Sequence, residues 1–171
     1  MRRLEDFRST AGKLRSPPMA LNYLTVQDIL WINYQVTKKS NAYSYAKLEE
    51  ATYYQYAYGQ SEDLVKQAAR FARGFLKQAP LADGNEATAF LGLLGFLYVN
   101  GHVLGVSDED GAIWFRTKFG DLTTVVNRNP HWHPVVKPDV RDAVRDAIMD
   151  YPRSIEALSG IEVTLSDAAV H

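Results

Sequence analysis

Three consecutive residues in the middle of the chain have the types and order of a phosphate-binding turn. Asp83, Gly84 and Asn85 stand directly before a long apolar segment. Backbone N–H groups at a helix start have no intrahelical partners, and the macrodipole adds partial positive charge there. A glycine lets a phosphate approach the backbone, and a nearby carboxylate can hold a Mg²⁺ ion that bridges phosphate oxygens. The sequence therefore predicts phosphate binding at Gly84 and Asn85 with Asp83 as metal ligand; an ordinary capped helix start is the alternative.

The segment after this turn predicts the helix around which the rest of the chain is built. From Phe90 to Val99 the residues are apolar on every side of a helix, and a helix without a polar stripe is buried all round. At roughly 15 residues it is shorter than the stretch of about 20 apolar residues that spans a bilayer. Gly92 and Gly95 allow neighbouring helices to approach closely. We expect a central core helix that starts at the turn.

The turn and its flanks resemble the signature of the Fic/Doc (Fido-fold, death-on-curing) family. That signature is H-P-F-x-D-G-N, followed by a small or basic residue and then an Arg. The chain reads Ala79-Pro80-Leu81-Ala82-Asp83-Gly84-Asn85-Glu86-Ala87-Thr88-Ala89. Two further segments are similar to Doc-like proteins, Tyr23 to Leu30 and Asn100 to Leu104. The resemblance covers roughly residues 21 to 125 and implies a Fido-like helical domain.

The resemblance also implies that the catalytic positions are vacant. The family's His, which takes the proton of the target hydroxyl, corresponds to Ala79, and the Arg that neutralises the transferred phosphate corresponds to Ala87. Glu86 places a negative charge between them. A general base contributes about 10²–10⁴ in rate and a phosphate-binding Arg about 10³–10⁵. We therefore expect a pseudoenzyme: a binding, regulatory or toxin–antitoxin-type component that lacks transfer chemistry and could retain ATP or another nucleotide with Mg²⁺.

Two other functions stay open at the level of sequence. His131 and His133, in the segment N-P-H-W-H-P, are possible substitute bases. With such a base the protein would be an active phosphoryl- or nucleotidyl-transferase that modifies protein hydroxyls. In a purely structural interaction domain, Glu86 would instead repel phosphate and no nucleotide would bind. For the pseudoenzyme, the family context implies an antitoxin-like or other protein partner. This partner lies over the loop at residues 79–85, which we call the signature loop.

Composition limits the class of protein. The chain has 171 residues, of which 46% are hydrophobic and 23% charged, as expected for one soluble globular domain. A net charge of −1 argues against a general nucleic-acid partner, and nothing in the sequence predicts a membrane span. There is no cysteine and no apolar leader, so we expect a cytoplasmic protein.

Periodicity predicts a mainly α fold with a small β element near the signature loop. We expect loose tails at residues 1–20 and 161–171 around a single domain at 21–160. A capping box of Thr25 and Asp28 should open the first helix, which ends near Thr37. The further predicted helices run over Tyr43–Tyr58, from a Ser61 cap to Lys77, from a Ser107 cap to Phe119 (with a strand as alternative), and from Pro138-Asp139 to a stop at Pro152.

The tyrosine-rich stretch 43–58 has two interpretations. Its spacing predicts a helix with one aromatic face, half-buried with its hydroxyls in solvent. The alternative is an exposed surface that stacks on a nucleobase or binds a partner protein.

Overall fold

The structure is a computed structural model that describes residues 20–57, 59, 62–120, 122–133 and 138–161. These residues form seven helices and two short strands, in the order α1 (Val26–Thr37), α2 (Tyr45–Tyr53), α3 (Leu64–Gln78), α4 (Asn85–Val99), β1 (His102–Leu104), α5 (Asp108–Thr117), β2 (Val126–Arg128), α6 (Val140–Asp150) and α7 (Pro152–Ser159). The predicted mainly α fold with a small β element is confirmed. Apart from positions 20 and 161, the two predicted tails lie outside the described residues.

Helix α4 is the buried centre of the fold. Helices α1, α3, α6 and α7 all pack against it, and its apolar side chains are almost completely buried. At Gly92 an added Cβ would lie 3.1 Å from the Phe71 ring of α3, so the glycine allows the close approach of the two helices. The prediction of a core helix that starts at the Asp83–Asn85 turn is confirmed. Among the described helices, none is long and apolar enough to cross a bilayer.

Local capping chemistry sets the helix starts. The capping box of Thr25 and Asp28 is present at α1, and Ser107 caps α5, which is a helix and not a strand. The cap of α3 is Asp63, whose side chain accepts from the Lys66 N–H; the predicted cap, Ser61, lies outside the described residues. Pro152 does stop α6, and it also opens α7, because proline fits the first turn of a helix, where no N–H bond is lost.

One helix boundary and the position of the sheet differ from the predictions. Helix α2 ends at Tyr53 and not at position 58, because the N–H groups of Tyr54 and Gln55 donate only three residues back, which tightens and ends the last turn. The antiparallel sheet of β1 and β2 follows the C-terminal end of α4, at the far end from the signature loop. The loop itself has a single isolated bridge, between Tyr43 and Leu81. The prediction that the β element lies near the signature loop was therefore wrong, because the sheet lies at the other end of α4.

Tyr151 joins the end of α6 to the chain after β1. Its side chain is 5% exposed, and its hydroxyl lies within donating distance of the carbonyl oxygens of Leu104 (2.9 Å) and Val106 (2.5 Å). Replacing Tyr151 by Phe removes the donor and leaves buried carbonyls without it. We expect the free energy of unfolding to fall by about 1–3 kcal/mol, measured by urea denaturation.

Deprotonation of the same hydroxyl should lower the stability of the protein in alkali. Burial, together with the charges of Asp150 and Asp108, raises the pKa of Tyr151 from 10.0 to about 12. Because the folded state holds this proton more tightly than the unfolded state, the contribution is complete below pH 10 and is lost as pH rises toward 12. Burial and a hydrogen bond to Asp150 also raise the pKa of Tyr98, so its contribution persists in a Tyr151→Phe variant. We expect that variant to show a shallower fall in stability between pH 10 and 12.

Candidate functional site

The signature loop is held between the end of α3 and the chain before α2. Ala79 is the C-cap of α3, in a left-handed conformation with φ 42°, and its methyl group is exposed. The carbonyl of Pro80 accepts from the Ser44 N–H at 3.0 Å, and the Ala82 N–H donates to the carbonyl of Ala42 at 2.8 Å. The position that corresponds to the family's histidine is thus at the surface, and it carries no group that can accept a proton.

Gly84 and Asn85 form the start of α4. Gly84 is the N-cap with φ 78°, and within the described part of the chain no side chain caps this end. The Asn85 side chain closes the loop: its Oδ1 accepts from the Leu81 N–H at 3.0 Å and its Nδ2 donates to the Leu81 carbonyl at 2.7 Å. The first intrahelical bond runs from the Thr88 N–H to the Gly84 carbonyl. Among the described residues, the first turn of α4 therefore has no side-chain cap, whereas the Asn85 side chain is already used.

Asp83 is engaged by two residues from the end of α1 and the turn after it. Its Oδ2 lies 3.1 Å from Lys39 Nζ, and its backbone carbonyl accepts from Asn33 Nδ2 at 2.8 Å. The side chain is 58% exposed, so the ion pair is solvent-screened and open to exchange. Within the described ranges there is no group of three His, Asp or Glu side chains placed to hold a metal. A Mg²⁺ ion at Asp83 would have to displace Lys39 and take its other ligands from phosphate and water.

Glu86 is paired across the domain with Arg116 of α5. Its two carboxylate oxygens accept from Arg116 Nη2 at 2.8 Å and Nε at 3.0 Å, a bidentate geometry, and Arg116 also donates to the Ala157 carbonyl at 3.2 Å. The hydrogen bond to Glu86 raises the pKa of Arg116. The first turn of α4 therefore carries its own carboxylate, which complements the positive end of the helix. No local sequence pattern predicts this pair, because the partners are 30 positions apart.

The position that corresponds to the family's arginine points into the protein. Ala87 is 0% exposed and belongs to the hydrophobic core. A guanidinium there would have to enter the core of the domain and not reach the surface of the loop. An arginine at position 87 is therefore incompatible with the packing of the first turn of α4.

His131 and His133 lie at the other end of the central helix. Both line a cleft of about 360 Å³ together with Tyr98 and Val99, the last residues of α4, and Asp142 and Asp146 of α6. A helix of 15 residues is about 22 Å long, so the cleft is about 20 Å from the signature loop. The structure therefore does not bring either histidine to Ala79, and it does not support the prediction that one of them replaces the missing base.

Two exposed tyrosines lie beside the loop. Tyr43, which is bridged to Leu81, is 47% exposed, and Tyr45 at the start of α2 is 56% exposed. The Ser44 N–H between them donates to the loop carbonyl of Pro80. Both exposed side chains therefore belong to a segment whose backbone is hydrogen-bonded to the loop.

No protein-family model, curated protein or solved structure gives a significant match to this chain. The Fic/Doc resemblance therefore stays a prediction that depends on the residues of the signature segment and the two flanking segments.

Proposed function

We propose that this chain is a Fic/Doc-like pseudoenzyme that binds a protein partner through the surface formed by the signature loop and Tyr43 and Tyr45. The partner is an antitoxin-like segment or another regulatory protein. The observation that carries the proposal is that the carboxylates of the loop and of the first turn of α4 are ion-paired within the chain, Asp83 with Lys39 and Glu86 with Arg116. Position 79 presents only a methyl group. Such a surface offers rings and backbone groups for binding, and it offers no base for catalysis.

A retained nucleotide site is the second part of the proposal. The uncapped first turn of α4 provides backbone donors, and Asp83 provides a carboxylate for Mg²⁺. Glu86 opposes a phosphate at this point, since it lies in the same turn. Arg116 would become available to the phosphate if Glu86 released it.

Calorimetry with Mg²⁺ and ATP tests this second part on three proteins. The wild type should bind weakly, Glu86→Gln should bind about tenfold more tightly because a charge that repels phosphate is removed, and Asp83→Ala should bind less tightly. Absence of heat with all three proteins would eliminate the nucleotide site. It would favour an interaction domain without nucleotide, and it would leave partner binding unaffected.

A transfer assay tests the pseudoenzyme itself. We expect no transfer of label from ATP to any protein when the chain is incubated with ATP, Mg²⁺ and cell lysate. ATP labelled at the α-phosphate and at the γ-phosphate must be tried separately, because nucleotidyl and phosphoryl transfer leave different groups on the target. Labelling that disappears in His131→Ala or His133→Ala would establish the active transferase, despite the separation of about 20 Å along α4.

A further inference from the structure

One face of α1 and its C-cap carries three buried nitrogen donors that are not used. Trp31 Nε1, Gln35 Nε2 and Lys38 Nζ are each buried and, in the part of the chain that the structure describes, have no hydrogen-bond partner. Gln35 is 1% exposed and Trp31 is 8% exposed. Trp31 and Gln35 are four residues apart, which places them on one side of α1. Lys38 follows directly after the helix as its C-cap, in a left-handed conformation with φ 61°.

Buried donors without partners are rare, because each loses its bonds to water and gains nothing in return. The C-terminal end of α1 carries partial negative charge and compensates the Lys38 ammonium in part. Among the described residues, no carbonyl at this end accepts from the indole or the amide. Three such donors on one face therefore indicate an acceptor that is not among the described residues.

The charge around this face has the sign that suits an anion. The guanidinium of Arg141 lies 5.1 Å from the centre of the Trp31 ring, and that of Arg145 lies 5.5 Å from it. Arg145 also pairs with Asp142 at 2.9 Å. With Lys38, the face thus combines three cationic side chains and two neutral donors.

We propose that this face of α1 binds an oxyanion with two linked charged groups, a diphosphate or a dicarboxylate, through Trp31, Gln35 and Lys38. Trp31 and Gln35 are about 5–6 Å apart at Cβ. Lys38 lies beyond the last turn of α1, so the three donors extend over more than one phosphate or carboxylate group. Lys38 supplies the charge, and Trp31 and Gln35 supply directed N–H groups. Because the three nitrogen atoms are buried, neighbouring side chains must move when the ligand enters. The site is independent of the signature loop.

The test follows the indole N–H resonances of the protein by ¹H–¹⁵N NMR. The chain has three tryptophans, and Trp31→Phe assigns the signal of Trp31. We expect this signal to shift on titration with inorganic pyrophosphate or with succinate. Tighter binding of pyrophosphate indicates a phosphate site, and tighter binding of succinate indicates a carboxylate site. Lys38→Met should weaken binding at least about tenfold, the effect of losing a charged hydrogen bond.

Lys39→Met is the matched control, since it removes the adjacent ammonium, which is paired with Asp83 and not buried. It should leave the titration unchanged, as should Asp83→Ala. The result of this titration is therefore independent of whether the signature loop binds a nucleotide. Without added anion, Lys38→Met should raise Tm, because an unpaired buried ammonium is removed. A Trp31 signal that does not respond to either ligand, a response that persists in Lys38→Met, or a lower Tm of that variant would each overturn the proposal.

Discussion

Replacing Ala87 by Arg is expected to lower the free energy of unfolding by at least about 3–5 kcal/mol, the cost of placing an uncompensated charge in a protein interior. Ala87 is completely buried in the first turn of α4, the helix against which most of the others pack. Domains of this size have stabilities of about 5–15 kcal/mol in total, so this single change removes a large fraction of the free energy of unfolding. Urea denaturation followed by circular dichroism measures the change.

Ala79→His is the matched control, since it restores the other vacant position of the signature. Ala79 is exposed, and histidine is among the residues that tolerate its left-handed backbone. We expect a change of less than about 0.5 kcal/mol. An Ala87→Arg variant with the wild-type midpoint would show that position 87 is not part of the core. If the expectation holds, the triple change Ala79→His, Glu86→Lys and Ala87→Arg does not create the chemistry of the Fic/Doc signature that this segment resembles.

Gly84→Ala should destabilise the protein by about 2–5 kcal/mol, from two causes. The left-handed backbone at φ 78° costs a residue with a Cβ about 1–2 kcal/mol. The added Cβ would also lie 2.4 Å from Thr37 Cγ2 and 3.0 Å from Asn33 Nδ2, and such overpacking costs about 1–3 kcal/mol. The measurement is the midpoint of thermal or urea unfolding.

Gly160→Ala separates the two causes. Gly160 has nearly the same φ, 81°, and its added Cβ would meet nothing within 4 Å. We expect this variant to show the backbone cost alone, about 1–2 kcal/mol. Equal effects of the two substitutions would mean that the contact between α1 and the start of α4 is not as close as described.

The sequence predicted those features that depend on short-range chemistry. The absence of a polar stripe from Phe90 to Val99 predicted the burial of α4, and the spacing of Thr25 and Asp28 predicted the capping box, because both effects act within a few residues. The burial of Ala87 was also within reach, since position 87 lies three and four residues before Phe90 and Leu91 and so shares their core face. The resemblance concerns only which residue type is missing at position 87, whereas the direction of the side chain follows from its place on the helix.

Features that depend on distant residues were not predictable in the same way. Nothing near Glu86 indicates Arg116, because the pair forms only after α5 has packed beside the start of α4. His131 and His133 could not be placed either, because their position depends on the pairing of β1 with β2 and on the packing of α6 against α4. Pattern alone gave two candidate bases, and tertiary structure put both at the wrong end of the central helix.

The burial of α4 on all sides has a consequence during synthesis. Helices α1 and α3 precede α4 in the chain, but α6 and α7, which cover its remaining sides, end only at Asp150 and Ser159. At a translation rate of about 5–20 residues per second, the roughly 60 residues from the end of α4 to the end of α7 take about 3–12 s to emerge. During those seconds the nascent chain exposes the most apolar helix of the domain, so it is then most open to chaperones and to aggregation with other ribosome-bound copies.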